Sequence, residues 1–223
     1  MAEVETLLVT FDAEISEAEL PLLRGAMIHA TEGRDVLFHN HAGDGNYRYA
    51  YPLVQYKRVG GKAAIMGVGA GIAAVEALLA DGETLDVRLG RRNVSLTVDQ
   101  KEKRTTDILL SETMECTYAI HKYFPLNQEN YQRYMEKDSI VERYALIEKC
   151  IVGNILSMAK SLGIVFQDRV RVALTEVADI RLYQYKEIKM MGFDLTFKTN
   201  VRLPESIGLG KDVSLGSGTI KEV

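Results

Sequence analysis

Two of the four histidines in this 223-residue chain, His39 and His41, lie only one residue apart. They open a segment of mostly small and polar residues, 39–49, which ends with Tyr47 and Tyr49. Imidazole has an ordinary pKa of about 6.5, so such a pair can exchange protons or bind a metal ion near neutral pH. A metal site, an acid/base pair and two unrelated loop histidines are all consistent with this spacing.

The remaining histidines and the cysteines do not support a metal site. A zinc site normally needs three or four converging ligands, and the only histidine after the pair is His121, in another predicted domain. Cys116 and Cys150 lack metal-type spacing and fit a reducing compartment. We therefore predict no bound metal, and we interpret His29 as structural and His121 as a surface residue.

The segment 207–220, IGLGKDVSLGSGTI, spaces its glycines as G-x-G-x₅-G-x-G. Glycine lets the backbone approach a ligand because it has no Cβ atom, and successive N–H groups can point at phosphate oxygens. Lys211 adds a positive charge inside the pattern. The segment predicts a phosphate-binding loop, with a tight connection between two late strands as the alternative. Its glycines are Gly208, Gly210, Gly216 and Gly218.

Hydrophobic periodicity predicts strands and helices in a regular order in the first half of the chain. The segment 5–11, ETLLVTF, alternates as a strand does, and a helix begins at Pro21, whose fixed φ suits a first helical turn. Gly60-Gly61 closes a predicted hairpin. A second helix follows near residues 72–80, and the strands TLDVRL and NVSLTV come next. This β-α-β-β-α-β order predicts a ferredoxin-like unit.

A second glycine pattern, Gly67-Val68-Gly69-Ala70-Gly71, follows a predicted strand and opens a helix. A dinucleotide-binding fingerprint needs its third glycine one residue later and an acid at the end of the next strand. Asp86 lies at the wrong end of that strand. We therefore interpret the pattern as a turn that lets the helix lie close to the sheet.

The composition changes near residue 100 and divides the chain. The charged segment 98–112, VDQKEKRTTDILLSE, predicts a linker. A strand in TYAIHKYFPL follows, and then a long amphipathic helix with Ser139 as its N-cap and Gly163 at its end. We predict two domains, 1–105 with the histidine pair and 106–223 with the glycine-rich segment.

The overall charge and hydropathy limit the function further. The net charge is −4, so affinity for nucleic acid would have to depend on local basic patches. Apolar residues make up 47% of the chain, as in an ordinary globular protein, yet no apolar run approaches the roughly 20 residues that cross a bilayer. The acidic start has no targeting pattern. We expect a cytoplasmic protein that does not bind a membrane.

The glycine-rich segment and its surroundings, NVRLPESIGLGKDVSLGSGTI, resemble the C-terminal loop of the Cas-six family of CRISPR-associated repeat-RNA-processing endoribonucleases. The segments LLRGAMIHA, YAYPLVQYKRVGGKAAIMGVG and LNQENYQRY are also similar to that family, so the resemblance covers nearly the whole chain. It implies an α+β fold of two tandem ferredoxin-like (RRM-like) domains with antiparallel sheets. Ser217 departs from the family pattern, which often has a large apolar residue there.

The resemblance implies a ribonuclease-type reaction that uses no cofactor, in which the RNA's own 2′-hydroxyl attacks the neighbouring phosphate. His39 and His41 match the region of the family's catalytic histidine, and either could be the acid or the base. Tyr47 and Tyr49 would orient an imidazole or the scissile phosphate, because a phenol can donate or accept a hydrogen bond. The implied partner is CRISPR repeat RNA in its precursor transcript. Its candidate contacts are Gly208, Gly210, Lys211, Gly216, Gly218, Arg91 and Arg92.

Two other functions stay open at this point. One is a family member that binds repeat RNA without cleaving it. The other is a ferredoxin-like ligand-binding or interaction module, which only the low pI of about 5.7 favours. Other CRISPR-associated proteins, and a second copy of the chain in a homodimer, are further candidate partners.

Overall fold

The structure is a computed structural model that describes residues 2–31, 36–39, 51–185 and 188–223. Its described strands are β1 Ala2–Glu14, β2 Val54–Val59, β3 Lys62–Val68, β4 Thr84–Leu89, β5 Arg92–Ile108, β6 Cys116–Tyr123, β7 Val172–Tyr185, β8 Ile188–Thr199 and β9 Thr219–Glu222. Its described α-helices are α1 Leu20–Ala30, α2 Val36–His39, α3 Gly71–Leu78, α4 Gln128–Met135 and α5 Ile140–Ser161.

These elements form two compact units, and each unit has its own sheet. The N-terminal unit comprises Val4–Thr105 and the short segment Ser214–Gly216. The C-terminal unit comprises Thr106–Val213 and Ser217–Val223, together with the start of the chain. The predicted α+β class, with two domains built on antiparallel strand pairs, is confirmed.

The sheet of the N-terminal unit has the strand order β2-β3-β1-β5-β4. Alternate residues of β1, among them Val9 and Phe11, face a hydrophobic core that also contains Leu23 and Met27 of α1. All four side chains are fully buried. The alternation that predicted the strand therefore also identified its core-facing side.

Helix α1 begins where its proline allows. Pro21 lies in the first turn, where the missing N–H removes no intrahelical hydrogen bond. Ahead of it, Ser16 and Glu19 form a capping box in which the Ser16 N–H donates to the Glu19 carboxylate at 2.8 Å. That box caps a single 3₁₀ turn, Glu17–Glu19, which leads directly into α1.

The prediction of a linker at 98–112 is wrong, because β5 runs through most of it as far as Ile108. Its charged side chains are largely exposed and form ion pairs within the unit, Lys101 with Glu83 at 3.0 Å and Lys103 with Glu5 at 3.2 Å. Charge content predicted exposure correctly, but an exposed strand stays ordered when its backbone is paired in a sheet.

The interpretation of Gly67 and Gly71 as residues of close packing is confirmed. A Cβ atom on Gly67 would lie 2.7 Å from the Gly71 carbonyl oxygen, and one on Gly71 would lie 2.1 Å from the Leu53 carbonyl oxygen. Both distances are far below van der Waals contact. The glycines thus let the start of α3 lie directly against neighbouring backbone.

The sheet of the C-terminal unit has the order β7-β8-β6-β9. Helices α4 and α5 connect β6 to β7, whereas the glycine-rich segment lies in the connection from β8 to β9. The unit is thus a ferredoxin-like order in which a loop replaces the second helix. Helix α4 was not predicted, since its eight residues bury only Tyr134 and give a weak periodic signal.

Helix α5 agrees closely with its sequence pattern. The Ser139 side chain accepts a hydrogen bond from the Glu142 N–H at 3.1 Å, and Gly163 follows the last turn. Ile140 occupies the first helical position and is 52% exposed. The buried residues of the helix are Ile147, Ile151, Ile155, Met158 and Ala159. Among the helices that the structure describes, none is long and apolar enough to cross a membrane.

Candidate nucleic-acid interface

Backbone hydrogen bonds join the glycine-rich segment to the end of β6. The Lys211 N–H donates to the Phe124 carbonyl at 3.2 Å, and the Gly218 N–H donates to the His121 carbonyl at 3.0 Å. The Leu209 N–H donates to the Gly218 carbonyl at 2.8 Å and closes the loop on itself. These three amides are therefore used internally. Recognition of a phosphate by this loop would depend more on side chains than on these N–H groups.

Three glycines of the loop allow close internal packing in the C-terminal unit. A Cβ atom on Gly218 would lie 1.8 Å from the Leu209 carbonyl oxygen, and one on Gly208 would lie 2.6 Å from Val213 Cγ1. On Gly210, whose φ is +93°, it would lie 2.7 Å from Tyr123 Cε2. The glycine spacing is explained by the construction of the loop itself.

The loop carries one cation, Lys211, whose side chain is exposed, and one carboxylate, Asp212. Partial burial of its ammonium group lowers the pKa of Lys211 from its ordinary value. Within the described part of the chain, Lys211 forms no ion pair. A nearby anion stabilises the charged form of such an ammonium group, which fits a contact with phosphate.

Ser217 lies inside the loop and is 1% exposed. Its hydroxyl donates to the Asp212 carboxylate at 3.5 Å, and its N–H donates to the Asp212 carbonyl at 3.4 Å. The serine thus has polar partners at a position where the family pattern often has a large apolar residue.

The two predicted arginine contacts, in the N-terminal unit, have different surroundings. Arg92 forms an ion pair with Glu19 at 2.7 Å and also donates to the Glu14 carbonyl at 3.2 Å. Arg91, in the turn between β4 and β5, is exposed and forms no ion pair among the described residues. Arg91 is therefore the better placed of the two to meet a phosphate.

Of the predicted catalytic residues, only the backbone of His39 falls in the described part of the chain. It is the last residue of α2, so its backbone is helical rather than in a loop. Phe38, the preceding residue of α2, is buried in the core of the N-terminal unit. His41, Tyr47 and Tyr49 lie outside the described residues.

A row of buried polar side chains on β2 was not predicted from the sequence. Gln55 and Lys57 alternate with the core residues Val54 and Tyr56, and alternation predicts that they are exposed, yet Gln55 is 0% and Lys57 only 3% exposed. Gln55 Nε2 donates to the Tyr51 hydroxyl at 2.9 Å. The row begins at Gln55, six residues after the end of the segment 39–49 that contains the two histidines.

Burial lowers the pKa of Lys57 from 10.5 to about 7. An unfolded chain keeps that proton to about pH 10, so between these values the unfolded state binds more protons than the folded state. The unfolding free energy should therefore rise with pH from about 7 upward, by up to about 1.4 kcal/mol per pH unit. We expect Lys57→Met to lose this part of the pH dependence, because methionine does not titrate, so the difference in unfolding free energy between the two proteins should change as pH rises. Urea unfolding of both proteins at pH 6 to 9 checks this, and a difference that is independent of pH would contradict it.

His121, interpreted from the sequence as a surface residue, has a charged partner. Its Nδ1 atom lies 2.8 Å from Asp194 Oδ1, which also accepts the Lys122 N–H at 2.7 Å. The His121 side chain is 65% exposed. This carboxylate is shared by His121 and Lys122 and stabilises the irregular end of β6. The backbone carbonyls of the same two residues accept the Gly218 N–H of the glycine-rich loop.

The comparisons with known proteins cover both units. A model of the Cas6b N-terminal domain matches residues 2–107, and a model of the Cas6b C-terminal domain matches residues 110–223. The chain belongs to the Cas6b family. The resemblance to the Cas-six family noted in the sequence is therefore confirmed.

Solved Cas6b structures share the fold of this chain. A crystal structure of Cas6b has a TM-score of 0.87 at 24% identity, and one of the CRISPR RNA processing endoribonuclease Cas6b has 0.75 at 21%. Both comparisons cover 100% of each chain. An uncharacterized protein of Methanocaldococcus jannaschii is 36% identical over 114 residues, which is 51% of this chain and 76% of the relative.

In this Cas6b family member, the candidate RNA contacts are divided between the two units. Gly208, Gly210, Lys211 and Gly218 lie together in the C-terminal unit. Arg91, Arg92 and Gly216 belong to the N-terminal unit. Among the described residues, no group of three or more histidine, cysteine, aspartate and glutamate side chains is arranged to hold a metal ion.

Proposed function

We propose that this protein cleaves CRISPR precursor RNA within its repeats, with no metal ion in the chemical step. The observation that supports it most is the match of both Cas6b domain models, in order, to residues 2–107 and 110–223. Proteins of this family include a CRISPR RNA processing endoribonuclease. The substrate, on this proposal, is single-stranded or stem-loop repeat RNA.

In the proposed reaction, the 2′-oxygen of one nucleotide attacks the adjacent phosphorus and the bond from phosphorus to the 5′-oxygen breaks. The 2′-hydroxyl proton passes to a base, and an acid protonates the departing 5′-oxygen. His39 and His41 are the proposed acid and base, since imidazole can take either role near neutral pH. Tyr47 and Tyr49 are proposed to orient an imidazole or the phosphate through their hydroxyl groups.

The glycine-rich segment is the proposed RNA-binding element. Its packing against Tyr123 and Phe124 holds Lys211 at the surface of the C-terminal unit with no acidic partner among the described residues. A local cation of this kind is what an acidic chain needs to bind a polyanion, because affinity follows the local charge rather than the total. Arg91 is a second proposed contact.

Incubation with repeat RNA in excess chelator tests the proposal. We expect cleavage to continue at an unchanged rate, since the nucleophile and both proton carriers belong to the RNA and the protein. The products should carry a 5′-hydroxyl and a 2′,3′-cyclic phosphate, or the 3′-phosphate derived from it, as mapped by end-labelling and mass spectrometry. Activity that disappears in chelator and returns with a divalent ion would overturn the mechanism. If the protein binds repeat RNA but does not cleave it, the result would support the alternative of a family member that only binds the RNA.

A further inference from the structure

A cavity of about 400 Å³ opens in the C-terminal unit beside the glycine-rich loop. Its walls come from α4, α5, the residues that follow β6, and the loop residues Gly210 and Lys211. This volume lies within the range of pockets that hold small organic ligands. Phe124, Pro125 and Leu146 supply an apolar part of the wall, and the rest is polar.

The cavity is positively charged although the chain is acidic. Three cationic side chains line it, Arg133, Lys149 and Lys211, and none of its lining residues is an aspartate or a glutamate. Arg133 pairs with Glu129 on its own helix. Lys149 and Lys211 form no ion pair within the described residues. The two ammonium groups are therefore available to an anion.

Two asparagine side chains in the wall are held with their oxygens already in use. The Asn127 side-chain oxygen accepts the Asn130 N–H at 2.7 Å, and the Asn154 side-chain oxygen accepts the Tyr123 hydroxyl at 2.7 Å. Each side chain keeps an NH₂ group, which can only donate. The polar groups that remain in the wall thus suit a ligand rich in acceptor oxygens.

Gly153 lines the cavity from α5. It lies in the middle of the 22-residue helix α5, where glycine is a poor helix former, and a Cβ atom there would meet no atom within 4 Å. No contact with a described residue explains the missing side chain. A ligand lying against this helix face would explain it.

We propose that this cavity binds a nucleoside phosphate, with the phosphate between Lys149 and Lys211 and the base against the apolar wall above Gly153. The nucleotide would be one residue of the RNA or a free nucleotide, which present the same chemistry. The first case rests on the proposed function, whereas the second does not. The cations and NH₂ donors recognise the phosphate, and the apolar wall recognises the ring.

Calorimetric titration of the whole protein with AMP, with adenosine as the uncharged control, tests the proposal. We expect millimolar or tighter binding of AMP and much weaker binding of adenosine. Lys149→Gln should weaken AMP binding about tenfold, the value of one charge-assisted hydrogen bond. Lys160→Gln changes an exposed lysine of the same helix that does not line the cavity, so its affinity should equal that of the wild type. Gly153→Leu should fill the space and abolish binding.

Competition with repeat RNA identifies the source of the nucleotide. Displacement of AMP by repeat RNA would assign the cavity to one nucleotide of the RNA, whereas AMP bound alongside RNA would assign it to a free nucleotide. The proposal is overturned if AMP does not bind and if Lys149→Gln and Gly153→Leu, shown to be folded by thermal unfolding, keep wild-type RNA affinity. A protein that binds AMP here but does not cleave repeat RNA would overturn the proposed function alone.

Discussion

His39→Ala and His41→Ala are each expected to slow cleavage of repeat RNA by about 10²–10⁴-fold, the usual contribution of one general acid or base. Affinity for the RNA should change little, because neither imidazole is proposed as the main phosphate contact. Single-turnover cleavage at saturating protein measures the chemical step directly, and a binding assay on the same variants separates affinity from rate. If both groups act, the wild-type rate should peak near neutral pH and fall on either side.

His29→Ala is the matched control, since it removes a histidine of α1 that is outside the proposed catalytic set. A second control alters the RNA instead of the protein. A single 2′-deoxy substitution on the 5′ side of the scissile phosphate deletes the nucleophile, so cleavage should stop while most phosphate contacts persist. Normal cleavage by the double alanine variant would show that the two histidines are adjacent by coincidence.

The elements that the sequence predicted well are those whose burial depends on one face. Helix α5 places residues at three- and four-residue spacing against one sheet, so its periodic pattern and its cap at Ser139 were both visible in the sequence. In β1 the apolar residues Val9 and Phe11, which face the core, alternate with polar neighbours. Local chemistry and tertiary burial agree in these elements.

The prediction from sequence was wrong where backbone pairing in a sheet, rather than burial, keeps a segment ordered. Lys101 and Lys103 gave β5 the composition of a linker, yet a strand needs only backbone partners to persist. The acids that pair with these lysines, Glu83 and Glu5, are distant in sequence. No local pattern reveals that they become neighbours.

The candidate site shows a similar limit. Residue types and family resemblance drew attention to His39 and Lys211, because histidine and lysine have recognisable roles in RNA chemistry. The burial of Lys57 could not be inferred, since its alternation with Tyr56 is the pattern of a strand with one exposed face. Only the tertiary structure shows that both faces of β2 are covered.

The glycine-rich loop supports a prediction about folding rather than about RNA. Gly218→Ala is expected to lower the unfolding free energy by more than ~3 kcal/mol, a loss that requires a specific mechanism. The mechanism is a steric clash, since a Cβ atom at residue 218 would lie 1.8 Å from the Leu209 carbonyl oxygen. That carbonyl belongs to the backbone, so no side-chain rotation relieves the contact. Urea unfolding measures the effect.

Gly163→Ala separates this clash from the cost of the backbone conformation. Gly163 has a φ of +72°, close to the +66° of Gly218, but a Cβ atom there would meet nothing within 4 Å. The unfolding free energy of Gly163→Ala should therefore fall by only ~1 kcal/mol, which is what a left-handed conformation costs an alanine. Equal losses in the two variants would mean that the backbone at Leu209 moves aside easily. A much larger loss in Gly218→Ala would establish that the loop at Gly218 packs directly against the Leu209 backbone, which only glycine at this position permits.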